Sequence, residues 1–173
     1  MDGDPEGTRL LNVRASGTLA KLCAQRSALL IYISTDYVFA GRPGDAPFEA
    51  EAATGPTNLY GQSKLDGEHA VLDEYKAAGR EGLGVALRVP VLYGSVTTPA
   101  ESAVNVLMTA VQKAQEGAHI KMDHWAIRYP TNTEDVGRIC HGKVYPDLFS
   151  SLSVSAGDAS LTCLHDCYAL AVY

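Results

Sequence analysis

The chain lacks the features that mark several large classes of protein. Its four cysteines are too few to make a disulfide scaffold in 173 residues. No apolar run approaches the roughly 20 residues that a membrane-spanning helix needs, and the acidic start, MDGDPE, is unlike a secretory signal. Positive charge is also scarce, since 14 Lys and Arg stand against 20 Asp and Glu. A net charge of -6 argues against a nucleic-acid surface. We therefore predict a cytoplasmic protein with no nucleic-acid or membrane partner.

A metal site is not predicted either. Cys163, His165 and Cys167 have the spacing of half a zinc site, but no second ligand pair follows at zinc-finger spacing. What the chain does have is apolar residues, at 46% of the sequence. That share is enough for one domain with a sizeable core, which would bury about two-thirds of the surface of the unfolded chain.

One stretch of the sequence predicts a strand, a loop, a helix and a second strand. The apolar run 28–33 (ALLIYI) is typical of a buried parallel strand. A polar loop, 41–58, leads into a helix from Leu59 to about Ala78, and the run 84–89 (GVALRV) predicts the next strand. This order indicates one right-handed βαβ crossover and an α/β fold.

The predicted helix carries a tyrosine and a lysine four residues apart. This spacing places the side chains of Tyr60 and Lys64 on one helix face. A phenol beside an ammonium can transfer a proton, and the positive charge moves the tyrosine pKa from about 10 toward neutrality. Such a pair suits an enzyme that gives or takes a proton as hydride moves onto or off a carbonyl. A solvated helix with an extended lysine has the same spacing, so only the neighbouring residues can distinguish a proton-transfer pair from an ordinary exposed helix.

A hydroxyl at the end of the first strand is the expected companion of this pair. Open α/β sheets place their ligands at the carboxyl ends of the strands. Ser34 and Thr35 both follow the run 28–33. The strand register decides between the two hydroxyls, and Thr35 is the one we favour.

Three motifs together resemble the extended short-chain dehydrogenase/reductases. They are STDYVF at 34–39, NLYGQSK at 58–64 and LRVPVLYG at 87–94. The branch that they resemble is that of dTDP-4-dehydrorhamnose reductase and its relative, the regulatory beta subunit of methionine adenosyltransferase. Two further stretches, ESAV at 101–104 and MDHW at 122–125, are similar to the beta subunit.

The resemblance implies a fold class and a division of the chain. The fold is expected to be the C-terminal part of a Rossmann-like, doubly wound parallel sheet with a fragment of the small substrate domain. Residues 1–142 are expected to form a partial reductase-like domain, and 143–173 a divergent tail. The sequence contains no glycine-rich phosphate loop, so the first half of the dinucleotide-binding domain is expected to be absent.

The same resemblance implies roles for individual residues. Thr35 would donate a hydrogen bond to a substrate carbonyl, Tyr60 would deliver a proton, and Lys64 would lower the tyrosine pKa and hold ribose hydroxyls. NADP or NAD is the implied cofactor, with its nicotinamide half against Tyr60, Lys64 and the turn that contains Pro90 and Leu92. Residues expected on the substrate side are Arg128 and Thr131.

Weak or undetectable binding of NADP or NAD by this chain alone is expected, because the phosphates lack a glycine-rich cradle. Calorimetric titration tests this expectation, and a micromolar affinity would overturn it.

Other elements are predicted from pattern alone. A helix is predicted at 10–25 with a buried apolar stripe, and others at about 100–115 and from Thr133, with a short strand at 119–122. Either Thr131 or Thr133 is expected to cap the last helix. Asn12 has two readings, since the family implies that it organises the active-site helix while a solvated asparagine fits equally. The predicted stripe consists of Leu10, Leu11, Val13, Leu19 and Leu22.

Three functions are compatible with these features. The first is a regulatory partner of the methionine adenosyltransferase catalytic subunit in S-adenosylmethionine biosynthesis. The second is an NADP-dependent reductase of a 4-keto nucleotide sugar, inactive in this form if the phosphate site is missing. The third is a truncated product without function.

Overall fold

The structure is a computed structural model that describes residues 4–122, 128–144 and 167–169. These residues belong to two compact units, which divide between Val89 and Pro90. Residues 167–169 belong to the first unit. The predicted tail, 143–173, lies almost wholly outside the described residues, as do Cys163 and His165, so the domain boundary at 142 stays a prediction.

The first unit begins with a helical segment in three parts: α1 (Pro5–Arg9), a π-helical stretch (Leu10–Ala15) and α2 (Ser16–Gln25). Asp4 starts it, because its carboxylate accepts a hydrogen bond from the Gly7 amide at 2.8 Å. The helix therefore begins earlier than the sequence predicted and ends where predicted, at residue 25.

The prediction of a buried leucine stripe on this helix is wrong. Leu10, Leu11, Leu19 and Leu22 are each at least 46% exposed, and the buried residues of α2 are Ala20 and Ala24. The helix rests on its neighbour through small side chains, which let two helices approach closely. The spacing of the leucines identified an apolar face of the helix, but the helix packs against the core through a different face, which carries Ala20 and Ala24.

A parallel sheet carries the predicted crossover. Strand β1 (Leu30–Thr35) pairs in parallel with β2 (Gly84–Val89), and residues 36–38 form a single 3₁₀ turn after β1. Helix α3 (Leu59–Ala77) connects them, as predicted. A short third strand, Cys167–Ala169, pairs in parallel on the other side of β2, which therefore lies at the centre. The α/β fold class is confirmed, and β1 ends two residues later than predicted.

The second unit contains short elements. Strand β3 (Leu92–Tyr93) pairs in parallel with β4 (Thr131–Asn132). Helix α4 spans Asn105–Gln115, and α5 spans Thr133–Val144. In the order of the chain the last strand, Cys167–Ala169, is then β5.

Three predictions for this unit are corrected. Helix α4 begins at Asn105 rather than near residue 100, and Pro99–Glu101 form a separate 3₁₀ turn before it. No strand forms at 119–122. The cap of α5 is Asn132, whose side-chain oxygen accepts from the Glu134 amide at 2.8 Å, instead of Thr131 or Thr133. Within the described part of the chain, no helix is long and apolar enough to cross a membrane.

The core of the first unit is built around Tyr75. Its ring is fully buried in a cluster with Ala20, Ala24, Tyr32 and Val71. Its hydroxyl donates to the Ala28 carbonyl at 2.7 Å. Burial raises the pKa of Tyr75 to about 12, so the phenol stays protonated and remains a donor at neutral pH.

Tyr75→Phe is expected to lower the free energy of unfolding by about 0.5–1.5 kcal/mol, because the partly buried Ala28 carbonyl loses its donor. Urea unfolding measures the change. Tyr93→Phe is the matched control, since Tyr93 is 40% exposed and water can replace its hydroxyl. Equal stability of the two variants would contradict the prediction.

Candidate functional site

The amino end of α3 lies against the turn that follows β1. Asn58 caps the helix, with its side-chain oxygen accepting from the Gly61 amide at 2.7 Å. Gly61 allows the close approach, because a Cβ at this position would collide with the Tyr37 carbonyl. The helix therefore brings Tyr60, in its first turn, to the carboxyl end of β1, where Thr35 is buried.

Tyr60 is 50% exposed, and its ring meets Tyr37 edge-on with 5.9 Å between ring centroids. Burial is the largest cause of a raised Tyr60 pKa, a hydrogen bond with the Thr35 side chain lowers it, and Asp36 and Tyr37 raise it further. The net direction is opposite to the one predicted from the charge of Lys64. The phenol is therefore protonated at neutral pH and suited to donate a proton.

The raised pKa predicts that Tyr60 ionises above pH 10.0, the ordinary value for tyrosine. NMR titration of protein labelled at tyrosine Cζ measures it, and Tyr60→Phe identifies the resonance. A Tyr60 midpoint below pH 10.0 would contradict this prediction and would favour a pKa set by the charge of Lys64.

Lys64 reaches toward β1. Its Nζ lies 4.2 Å from the centroid of the Tyr32 ring, a cation–π contact. Burial lowers the pKa of Lys64, while the carboxylate of Glu68 acts in the opposite direction. Tyr32 is itself buried, which raises its pKa to about 12, and its hydroxyl donates to the Asn12 carbonyl at 3.1 Å.

Asn12 contacts the helix of the pair directly. Its amide nitrogen donates to the Ser63 hydroxyl at 3.0 Å, and Ser63 donates in turn to the Tyr60 carbonyl at 2.8 Å. Asn12 is partly buried, so the alternative of a solvated asparagine is wrong. The side chain ties the π-helical stretch to the first turn of α3.

A buried ionic network beneath the site was missed by the sequence analysis. The Arg88 guanidinium bonds to the Glu68 carboxylate, with Nη2 to Oε2 at 2.6 Å, and to the Ala50 carbonyl at 2.9 Å. Glu68 also accepts from the Ser34 hydroxyl. An arginine within the apolar run 84–89 is the signal that identifies such a network, because a buried charge requires a partner.

This network also separates the two candidate hydroxyls. The Ser34 side chain is buried at 2% exposure and bonded to Glu68. Thr35 is the neighbour of Tyr60 and accepts from the Tyr37 amide at 3.3 Å. Of the two hydroxyls, the one beside the phenol is therefore Thr35, and its role stays a prediction.

The remaining predicted site residues belong to the second unit. Leu92 pairs with Thr131, whose amide donates to the Val91 carbonyl at 2.9 Å. Pro90 is partly buried two residues before Leu92, and Arg128 is exposed. Their assignment to the cofactor and to the substrate side stays a prediction. No cluster of side chains suited to a metal ion occurs among residues 4–122 and 128–144.

A parallel βαβ unit with a hydroxyl at the strand end and a Tyr-x-x-x-Lys helix beside it defines a domain of the extended short-chain dehydrogenase/reductase class. The chain belongs to the family described as RmlD substrate binding domain, which matches residues 2–149.

Curated relatives include methionine adenosyltransferase 2 subunit beta of Rattus norvegicus, which is 47% identical over 141 residues. The match covers 81% of this chain and 39% of that protein, so the chain spans well under half of the relative's length. dTDP-4-dehydrorhamnose reductase of Mycolicibacterium smegmatis is 49% identical over 71 residues, or 41% of this chain and 22% of the enzyme.

Among solved structures, the dTDP-4-dehydrorhamnose reductase of Bacillus anthracis, in complex with NADP, superposes with a TM-score of 0.64. The superposition covers 97% of this chain and 50% of the reductase, at 22% identity. At that identity the likeness supports the fold.

Proposed function

We propose that this chain acts as a beta-subunit-like regulatory partner of a methionine adenosyltransferase in S-adenosylmethionine biosynthesis, in the cytoplasm. The observation that carries the proposal is the 47% identity to a methionine adenosyltransferase beta subunit across 81% of the chain. The chain would influence synthesis by binding the catalytic subunit and would not perform the transfer itself.

In this proposal the Thr35, Tyr60 and Lys64 face contacts only the nicotinamide half of a dinucleotide, which this chain alone binds weakly. The residues present fit the nicotinamide riboside half of NADP or NAD, since a protonated phenol and an ammonium are donors for ribose hydroxyls. Such a cofactor supplies hydride to a carbonyl. Thr35 and Tyr60 would orient that carbonyl by hydrogen bonds, and Lys64 would hold the sugar.

Size-exclusion chromatography with a purified methionine adenosyltransferase catalytic subunit tests the partnership. The chain and the subunit are expected to elute together, earlier than either alone. Tyr60→Phe is expected to co-elute in the same way, because a regulatory role does not need the phenolic proton. Separate elution of the wild-type chain and the subunit would refute the proposal.

The second candidate function is an NADP-dependent reductase of nucleotide sugars. The 49% identity to a dTDP-4-dehydrorhamnose reductase over 71 residues favours it. Oxidation of NADPH in the presence of dTDP-4-keto-rhamnose, abolished by Tyr60→Phe, would establish this activity and displace the regulatory proposal. We expect no oxidation above the rate seen with Tyr60→Phe.

A further inference from the structure

Lys64 is held by a residue that no motif includes. Its ammonium lies 4.2 Å from the centroid of the Tyr32 ring, near the middle of β1. Tyr32 is 8% exposed and Lys64 is partly buried, so the contact is shielded in part from water, which strengthens a cation–π interaction.

The Tyr32 ring is fixed at both of its ends. The backbone of Tyr32 belongs to β1, which is paired with β2 along its whole length. Its hydroxyl donates to the Asn12 carbonyl at 3.1 Å in the π-helical stretch. Gly67, one turn beyond Lys64, leaves the space for this bond, since a Cβ there would collide with both the Tyr32 hydroxyl and the Asn12 carbonyl.

We propose that Tyr32 is a positioning residue that holds the Lys64 ammonium on its ring and thereby limits the effect of the lysine charge on Tyr60. The proposal deepens the role given above to the Tyr60–Lys64 face and rests on it. Lys64 follows Tyr60 by four residues on the same helix face, so its charge would act on the phenol if the ammonium were free to approach it.

Other groups also act on the Tyr60 phenol. The Thr35 side chain forms a hydrogen bond with it and lowers its pKa. Asp36 and Tyr37 face it from the turn after β1, and both disfavour the phenolate. Glu68, on the same helix, acts on Lys64 and on Tyr32. Lys64 is thus the cation whose release from Tyr32 would favour the Tyr60 phenolate.

The test is the NMR titration of Tyr60 in three variants. Tyr32→Leu removes the ring, frees the ammonium and is expected to lower the Tyr60 pKa. Tyr32→Phe keeps the ring and is expected to leave that pKa unchanged. Lys64→Met combined with Tyr32→Leu is expected to abolish the decrease, because the mobile charge is gone.

An unchanged Tyr60 pKa in Tyr32→Leu would overturn the proposal, and so would a decrease that persists with Lys64→Met. If Tyr32→Leu does not fold, the NMR chemical shift of the Lys64 ε-methylene protons tests the proposal instead. Ring current is expected to move them upfield in the wild type and in Tyr32→Phe, and a shift like that of the exposed lysines would overturn the proposal. These measurements need no transferase and no dinucleotide, so their failure is distinguishable from failure of the proposed function.

Discussion

Replacement of Arg88 by methionine is expected to lower the free energy of unfolding by about 3–5 kcal/mol. That loss is a large part of the roughly 5–15 kcal/mol by which small proteins are stable. The substitution leaves the Glu68 carboxylate, which is 1% exposed, without its cation. It also removes the donor to the Ala50 carbonyl and the stack of the guanidinium over Phe39, at 5.1 Å.

Urea unfolding measures this loss as a lower midpoint at an unchanged slope. Arg80→Met is the matched control, because it removes the same side chain from an exposed position and is expected to be nearly neutral. Glu68→Gln added to Arg88→Met is expected to recover part of the stability, since no charge then remains buried. If Arg88→Met is no more costly than Arg80→Met, the ionic network does not support the fold.

Gly67→Ala is expected to destabilise the chain by about 1–3 kcal/mol or more, although alanine is the better helix former. The added methyl group would collide with the Asn12 carbonyl, a backbone atom that cannot rotate away, and with the Tyr32 hydroxyl. Relief requires α3 to move away from the π-helical stretch, which would also stretch the bond from Asn12 to Ser63.

Thermal and urea unfolding of Gly67→Ala compared with Gly82→Ala tests this expectation. A Cβ at Gly82 meets no atom within 4 Å, so that variant is expected to be neutral or slightly stabilised. The NMR resonance of Tyr60 should shift only in Gly67→Ala, because only that variant disturbs the attachment of α3. Equal stability of the two variants would show that the close approach at Gly67 does not constrain the fold.

Local chemistry made the crossover predictable from the sequence. Helix α3 begins at Leu59 because Asn58 is an effective cap, and β2 matches its apolar run residue for residue. The spacing of Tyr60 and Lys64 predicts that both side chains lie on one face of this helix. These features depend on neighbours within one element, and such neighbours are visible in the order of residues.

Features that depend on distant parts of the chain were not predictable in the same way. The exposed leucines of α2 depend on which helix face Ala20 and Ala24 present to the core. The pairing of Glu68 with Arg88 joins residues 20 positions apart on a helix and a strand. The direction of the Tyr60 pKa shift depends on burial, and helix spacing does not determine burial.

The regulatory role is tested most directly by the kinetics of S-adenosylmethionine formation. A purified methionine adenosyltransferase catalytic subunit would be assayed with increasing amounts of this chain, and with Tyr60→Phe as a parallel series. The account predicts a saturable change in kcat or KM that is the same for both series. Kinetics that remain unchanged at saturating concentrations of the chain would contradict it.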